Sequence, residues 1–398
     1  MGHTAMFCHR MSHHGPPTIV GVTIGDPFDP LSWSGSNYHL FTSLKAKGAL
    51  KGAVDARSSI LDRLEKLGSY ERDRELWLQR YFAGASRLRA PARVAMSRLG
   101  ARRAAAIDPR PDALLQVGAY YDFSAVSTVK PRLLCSYHDG NIATYMHRDD
   151  LLLDADAPYI KSVHAYERRV YDALDLIMCR TEWLRSSFIE AFGQEPTKVV
   201  NVGSGANLHV VPDAVARNFH DTRWLFVGKD FARKGGPQVL DAFERLRAAE
   251  PEAELWIVGP RENPSTQPGV RFFGRIDRSD PEGEALMVKL YEEATGFVMA
   301  PYYEPSASVF LEAMGYGLPC IGSTFGAIPE FVADGTTGYL VSPGDVDQLA
   351  ERMVDVSSNP AAAKALGEAG RERFLRDFTW DAVGSRILDA IVARLPDS

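Results

Sequence analysis

The chain has 398 residues, of which 45% are hydrophobic and 24% are charged, an ordinary composition for a soluble globular protein. This length predicts two or three domains and is ample to bury a core. The formal net charge of -6 argues against general nucleic-acid binding, and no apolar run approaches the ~18 residues that a membrane-spanning helix needs.

The cysteines and the first residues of the chain give no support for a metal site or a disulfide framework. The cysteines are scattered and form no C-x-x-C pair, which favours a reducing compartment and a cytoplasmic location. Segment 1–17 is rich in histidine, but it is typical of a disordered or tag-like tail and lacks the pattern of a signal peptide. The cysteines are Cys8, Cys135, Cys179 and Cys320.

Short β-rich runs alternate with longer helical patterns, such as 71–82 and 161–173, along the chain. This alternation predicts parallel sheets with helices on both faces. The predicted strands of the first half are 18–24, 113–118, 132–137, 175–180 and 198–203. Those of the second half are 223–228, 254–259, 270–274, 296–300 and 318–323.

The pattern breaks near 203–222, where Gly, Asn and Pro mark a boundary between two such sheets. We therefore expect an N-terminal domain over 18–210 and a C-terminal domain over 211–377. The remaining segment, 378–398, has the pattern of an amphipathic helix, and Thr379 is its expected N-cap.

Four loops after predicted strands are candidates for a ligand site, because open parallel sheets bind ligands beyond the carboxyl ends of their strands. The first loop carries Gly35 before a helix, where close backbone approach and free N–H groups suit an anion; a plain turn is the alternative. The second carries His138, which could orient a hydroxyl or a carbonyl; a structural histidine is the alternative.

The third loop carries Lys229 and Lys234, five residues apart, at a strand-to-helix turn. Two ammonium groups there form a natural clamp for a diphosphate, whereas a solvated charged loop is the alternative. The fourth loop begins the stretch EPSASVFLEAMGYGLPC over 304–320, in which Ser306 or Ser308 is expected to cap a short helix.

Two carboxylates lie on either side of that helix start. The N–H groups near Ala307 to Val309 would suit a phosphate, and Glu312, about one turn further in, would accept hydrogen bonds from vicinal hydroxyls as on a ribose. The Glu304 carboxylate, before the helix, could accept hydrogen bonds from the hydroxyls of a second polyol. Together the four loops predict a site for a nucleotide diphospho-sugar.

These motifs resemble the retaining glycosyltransferase family 4, which has the GT-B fold. The segment 304–312 fits its E-x7-E motif, and VGKDFARKGG fits V-G-R-x-x-x-x-K-G. Further matches follow in order: VRFFGRI, MVKLYEEATGFVMAPYYE, GAIPEFVADGTTGYLVSPGD and FTWDAV. The resemblance implies an α/β chain with two Rossmann-like, doubly wound parallel-sheet domains facing a central cleft, and it allows the C-terminal helix to pack back on the N-terminal domain.

The resemblance also implies a role for each matching residue. Glu312 would bind the ribose, Glu304 the donor sugar and Lys234 the diphosphate, helped by backbone N–H groups from Ser306 to Val309. Glu304, His138 and Lys234 would be the catalytic residues. The other donor contacts would be Arg275 and Ile276 beside the base, Gly35 near the phosphates, and His138 near the transferred sugar.

The chain departs from the family pattern at the donor site. Lys229 stands where the family usually has Arg, and therefore lacks the bidentate fork. Tyr302 and Tyr303 replace the usual P-S-x-x-E approach, and EPSAS replaces E-x-F-G-L. The sugar's identity therefore does not follow from the resemblance.

The implied function is retaining transfer of a sugar from a UDP-, GDP- or ADP-linked donor to an unidentified acceptor, without a metal or other cofactor. The alternatives are a catalytically silent nucleotide-sugar-binding partner subunit and a GT-B epimerase or phosphorylase.

Segment 85–106 holds six arginines and no acid. Such a segment could contact anionic lipid at the inner face of a membrane. The alternative is a basic surface helix, which Pro91 is expected to interrupt.

Overall fold

The computed structural model describes residues 15–68, 70, 72, 89–124, 126–146, 158–212 and 217–396. The expected tail 1–17 and helix 71–82 lie almost entirely outside these residues.

The first half of the chain forms a six-stranded sheet in the order β2-β1-β3-β4-β5-β6, with every pairing parallel. Its central strands are almost continuously apolar because helices cover both faces. The strands are β1 (Ile19–Thr23), β2 (Leu50–Asp55), β3 (Ala113–Val117), β4 (Leu133–His138), β5 (Leu176–Cys179) and β6 (Val199–Asn201).

The second half forms another parallel six-stranded sheet, in the order β12-β11-β10-β7-β8-β9. Its core is a single large cluster that includes Trp224, Phe243 and Phe297. The strands are β7 (Arg223–Val227), β8 (Glu254–Val258), β9 (Val270–Gly274), β10 (Gly296–Met299), β11 (Cys320–Ser323) and β12 (Gly338–Val341).

Helices connect the strands on both faces of each sheet. In the first half they are a 3-10 turn (Ser32–Gly35), α1 (Ser36–Ala46), α2 (Ser59–Gly68), α3 (Arg89–Ile107), α4 (Ile142–Tyr145), α5 (Pro158–Asp172) and α6 (Glu182–Glu190). In the second half they are α7 (Gly236–Ala249), α8 (Pro281–Glu293), α9 (Ser308–Gly315), α10 (Ile328–Phe331), α11 (Val346–Ser358), α12 (Pro360–Asp377) and α13 (Trp380–Val392).

The two doubly wound parallel sheets confirm the expected fold class, and each of the ten predicted strands overlaps an observed one. Strands β2 and β12 were not predicted. The sequence of β2, LKGAVD, has no continuous apolar run of strand length, whereas β12, GYLV, is a short apolar run that the prediction missed. Both strands lie at the edges of their sheets, as do β6 and β9, which were predicted.

The C-terminal helix α13 packs against the N-terminal domain, although it follows the second sheet in sequence. Trp380, Val383 and Ile387 belong to the same buried cluster as β1 and α1 residues. The Ser43 hydroxyl donates to the Trp380 carbonyl at 2.7 Å. Thr379 is the N-cap, as expected, since its hydroxyl oxygen accepts from the Ala382 N–H at 3.2 Å. The helix therefore ties the two halves of the chain together.

The basic segment 85–106 is described from residue 89 onward, where it forms α3. Pro91 lies in the first turn and does not interrupt the helix, because a first-turn residue needs no intrahelical N–H bond. Arg93 is buried, with its guanidinium 4.1 Å from the centre of the Tyr166 ring. Among the described helices, none is both long enough and apolar enough to cross a membrane.

Candidate active site

A cleft of about 750 Å³ lies between the two domains at the carboxyl ends of their strands. Both halves of the chain supply its walls. The residues predicted to contact the donor line it, with two exceptions: Ala307, which is buried beneath the wall, and His138, which lies in the core of the first domain. Those lining residues are Gly35, Lys229, Lys234, Arg275, Ile276, Glu304, Ser306, Ser308, Val309 and Glu312.

The centre of the cleft holds a compact cluster of one carboxylate and two cations. The Lys234 ammonium lies 2.8 Å from Glu304 Oε2, and Arg233 Nη1 lies 3.5 Å from the same oxygen. Burial alone would raise the pKa of Glu304, but Lys234 and Arg233 hold it below its usual value. Glu304 is therefore ionised at neutral pH, although only 6% of the residue is exposed. The sequence predicted both Glu304 and Lys234, but not Arg233.

Glycines bring the loops that carry this cluster close together. Gly235 has a φ of 76°, and a Cβ there would lie 2.1 Å from the Ala300 carbonyl oxygen. A Cβ on Gly228 would lie 2.4 Å from Lys234 Cδ. The contact at Gly235 is with backbone and excludes a side chain, whereas a side chain at Gly228 would displace Lys234 from its position.

Helix α9 begins at the edge of the same cluster, with Ser308 and Val309 lining the cleft. Its N-cap is Ala307, and no side chain caps the helix, so the expected capping by Ser306 or Ser308 is wrong. Ala307 has a φ of 37°, in the left-handed region that glycine favours. Its N–H instead donates to Glu304 Oε1 at 3.3 Å, which links the carboxylate to the helix start.

Glu312, one turn into α9, is held by partners that the sequence did not indicate. Its Oε2 accepts from the Tyr291 hydroxyl at 3.0 Å and from Arg278 Nη1 at 3.1 Å. Arg278 also makes a two-bond contact with Glu284, at 2.6 and 2.9 Å.

Electrostatics in this group are dominated by burial and by the shared arginine. Burial raises the pKa of Glu312, and Arg278 offsets only part of that rise. For Arg278 itself, burial would lower the pKa, but Glu312 and Glu284 raise it above its usual value. Arg278 therefore stays charged and fixes the orientation of the Glu312 carboxylate. Among the described residues no hydrogen bond to Glu312 Oε1 is found, so that oxygen can accept from a ligand.

The opposite wall of the cleft is the loop before α1. Gly35 has a φ of 91° and is the N-cap of α1. Asn207, from the linker between the sheets, donates to the Ser34 carbonyl at 2.8 Å and accepts from Trp380 Nε1 at 3.1 Å. The position of this wall therefore depends on the linker and on α13, which no local pattern around Gly35 could indicate.

His39, on α1, is a cleft residue that the sequence did not single out. Its ring stacks on Trp380 with centres 6.4 Å apart and lies 5.7 Å from the His209 ring. Burial, with smaller contributions from His209 and Arg278, lowers the pKa of His39 to about 4. The imidazole is consequently neutral at pH 7 and can both donate and accept.

His138 is not a cleft residue, which corrects its expected place beside a ligand. It is the last residue of β4, pairs in register with Cys179 of β5, and is only 1% exposed. Because β4 runs one residue further than expected, the ring turns into the core between Tyr171 and Phe188. Its Nε2 lies 2.7 Å from the Ser136 hydroxyl, and burial lowers the pKa to about 3.

The second half of the chain matches a known protein family. Residues 214–373 match the family model described as glycosyl transferases, group 1. Glycogen synthase of Mycobacterium tuberculosis is 25% identical over 290 residues, which are 70% of this chain and 65% of that protein. Alpha-maltose-1-phosphate synthase of the same species is 38% identical over 181 residues, which are 42% of this chain and 46% of that protein. The chain thus spans between 46% and 65% of the length of these two relatives.

The two-domain architecture recurs in solved structures. Sucrose-phosphate synthase from Thermosynechococcus elongatus superposes with a TM-score of 0.65 and 19% identity, over 93% of this chain and 97% of that one. Anabaena HepE, in a complex with UDP and glucose, superposes with a TM-score of 0.61 and 13% identity, over 95% and 100% of the two chains. The fold is GT-B. Membership of glycosyltransferase family 4 stays a prediction.

Proposed function

We propose that this protein is a retaining glycosyltransferase that moves a sugar from a nucleotide diphosphate sugar to an acceptor without a metal ion. The match of residues 214–373 to group 1 glycosyl transferases supports sugar transfer as the reaction class. The arrangement of charges in the cleft and the sequence motifs support a nucleotide diphosphate sugar as donor, retention, metal independence and family 4.

The observation that carries the proposal is the group formed by Lys234, Glu304 and the start of α9. The ammonium and carboxylate are 2.8 Å apart, and the N–H of Ala307 binds the same carboxylate. A cation next to an uncapped helix start suits a diphosphate, and a carboxylate beside them suits sugar hydroxyls. A donor with both parts would satisfy all three elements at once.

The remaining cleft residues indicate which end of the donor would lie near Glu312 and which near Glu304. Glu312 presents a carboxylate that Arg278 and Tyr291 hold still, which suits the paired hydroxyls of a ribose. Arg275 and Ile276 lie in the same wall of the cleft, after β9, and would flank the base. The nucleoside would then occupy the Glu312 side, and the transferred sugar would face Glu304.

The chemistry expected of this geometry is electrostatic. As the bond between the anomeric carbon and the phosphate oxygen breaks, negative charge grows on the diphosphate, where Lys234, Arg233 and the α9 N–H groups stabilise it. The acceptor oxygen forms the new bond on the same face, and its proton passes to the departing phosphate oxygen. Glu304 and the loop carrying Gly35 would hold the sugar in place for this step.

A donor screen tests the proposal most directly. Thermal unfolding of the purified protein with UDP-, GDP- and ADP-sugars should show a rise in Tm with one nucleotide class. The protein should then hydrolyse that donor slowly. NMR spectra recorded early in the reaction should show that the released sugar has the same anomeric configuration as the donor. Binding without hydrolysis or transfer would favour a silent partner subunit, and an inverted product would contradict retention.

A further inference from the structure

A second cavity, of about 390 Å³, lies at the junction of the two domains, outside the active-site cleft. Its walls come from the end of the first sheet, from α10, and from the last two helices. Three arginines line it: Arg180 directly after β5, Arg373 on α12 and Arg386 on α13. This volume is within the range of ordinary small-ligand pockets, roughly 300–1,000 Å³.

The three guanidinium groups have no carboxylate partner within ion-pair distance in the part of the chain that the structure describes. Arg373 donates to the backbone carbonyls of Phe331 at 3.0 Å and Glu330 at 2.6 Å. Arg386 donates to the carbonyls of Val202 and Asp377, at 2.7 and 2.6 Å. Carbonyl oxygens orient these groups but do not neutralise their charge.

Arg180 makes the excess of charge costly. It is only 7% exposed, its Nε has no hydrogen-bond partner, and its guanidinium lies 5.4 Å from the centre of the Tyr137 ring. A buried charge without an ionic partner destabilises the folded state, and a bound anion would offset that cost.

The two acids in the cavity wall are engaged elsewhere. The Glu330 carboxylate accepts the N–H groups of Glu182 and Trp183, at 2.7 and 2.8 Å, at the start of α6. The Asp377 carboxylate accepts from Arg376, on the exposed side of the helix, at 2.8 Å. Asp377 still interacts electrostatically with Arg373 and Arg386, and Glu330 with Arg373. The three arginines and two acids of the wall therefore leave an excess of one positive charge.

We propose that this junction cavity binds a phosphate-type dianion, either inorganic phosphate or the phosphate group of a small metabolite. Guanidinium forks match phosphate oxygens with paired hydrogen bonds, and the anion would give Arg180 the ionic partner that it lacks among the described residues. Because Arg180 extends from the first sheet and Arg373 from α12, the bound anion would connect the two domains. The inference does not depend on the proposed reaction.

Binding is tested by calorimetric titration with inorganic phosphate and, separately, with a hexose 6-phosphate. Both titrations use a Lys234→Ala background, which weakens phosphate binding in the active-site cleft. In that background Arg180→Met and Arg373→Gln should each raise the Kd for phosphate by about tenfold or more, because the loss of a charge-assisted hydrogen bond typically weakens binding by this factor. Arg352→Met, at an exposed arginine on α11, is the matched control and should leave the Kd unchanged. A tighter Kd for the hexose phosphate identifies a metabolite as the ligand, and equal affinities identify free phosphate.

Thermal unfolding separates a ligand role from a structural one. If Arg180 serves an anion, Arg180→Met should keep or raise the Tm without phosphate, since it removes a buried unpaired charge, and should abolish the rise in Tm on adding phosphate. A lower Tm with the phosphate response intact would make Arg180 a structural residue and overturn the inference. The same conclusion follows if neither anion binds, or if the Kd is unchanged in both arginine variants.

Discussion

Lys234 and Glu304 form an ion pair 2.8 Å long across the wall of the cleft, one from the loop after β7 and one from the loop after β10. Their strands are neighbours in the sheet, although the residues are 70 positions apart in sequence. The carboxylate is also within 3.5 Å of Arg233. A substitution at either Lys234 or Glu304 therefore leaves the charge of the other without its nearest partner.

Lys234→Ala should weaken binding of the nucleotide diphosphate by about 10- to 100-fold, because a hydrogen bond to a charged group contributes roughly 1.5–3 kcal/mol. Isothermal titration with the nucleotide found in the donor screen measures the change. Lys289→Ala, at an exposed lysine 3.8 Å from Glu293, is the control and should bind normally. Unchanged affinity in Lys234→Ala would remove the lysine from the diphosphate site.

Glu304→Gln should reduce the rate of transfer by about 100-fold, since misplacement of a bound sugar has effects of that order. Binding of the free nucleotide should persist or become tighter, because two cations lose their carboxylate. The variant should unfold at a lower temperature, and added nucleotide should restore more stability than it adds to the wild type. Glu293→Gln is the surface control; normal turnover in Glu304→Gln would refute a sugar-facing role.

Ala307→Gly should stabilise the protein by up to about 1 kcal/mol, the cost of a left-handed alanine less the extra chain entropy of glycine. The motif of the family that this chain resembles has glycine at this position, and the φ of Ala307 is 37°. Urea unfolding measures the difference. Ala313→Gly, in the buried body of α9, should instead destabilise the protein. A loss of stability in Ala307→Gly would show that the alanine methyl contributes more than its strained backbone costs.

His138 predicts a specific acid sensitivity. Burial lowers its pKa in the folded state to about 3, so the unfolded chain, with the ordinary value near 6.5, binds the extra proton between these values. The contribution of His138 to the free energy of unfolding is therefore fully present above about pH 6.5. It decreases as the pH falls, by about 2 kcal/mol between pH 7 and pH 5.

Denaturant unfolding at pH 7 and pH 5 tests the assignment. His138→Gln should flatten this part of the pH dependence, whereas His220→Gln, at an exposed loop residue, should not. If the two variants respond to pH alike, His138 is not the buried neutral group described above. Activity measured beside stability would show separately whether His138 affects turnover.

Local pattern predicted much of the fold because buried parallel strands must be apolar. Runs such as 254–259 and 296–300 coincide closely with β8 and β10, and the loops that follow strands hold most of the cleft residues. The edge strand β2 was not predicted because Lys51 and Asp55 interrupt its apolar pattern, which an edge position tolerates. His138 was misplaced because one more residue of strand turns a side chain from the edge of a sheet into its core.

The sequence alone determined the two-sheet architecture, the spacing of Glu304 and Glu312, and the lysine loop, because each depends on periodicity or on a short motif. Only the tertiary structure decided which charges are partners. Arg278 meets Glu312 across 34 positions, Asn207 reaches Ser34 across 173, and Arg180, Arg373 and Arg386 meet in one cavity. Electrostatic interactions depend on distance and burial, and neither follows from local sequence when the partners lie on different elements.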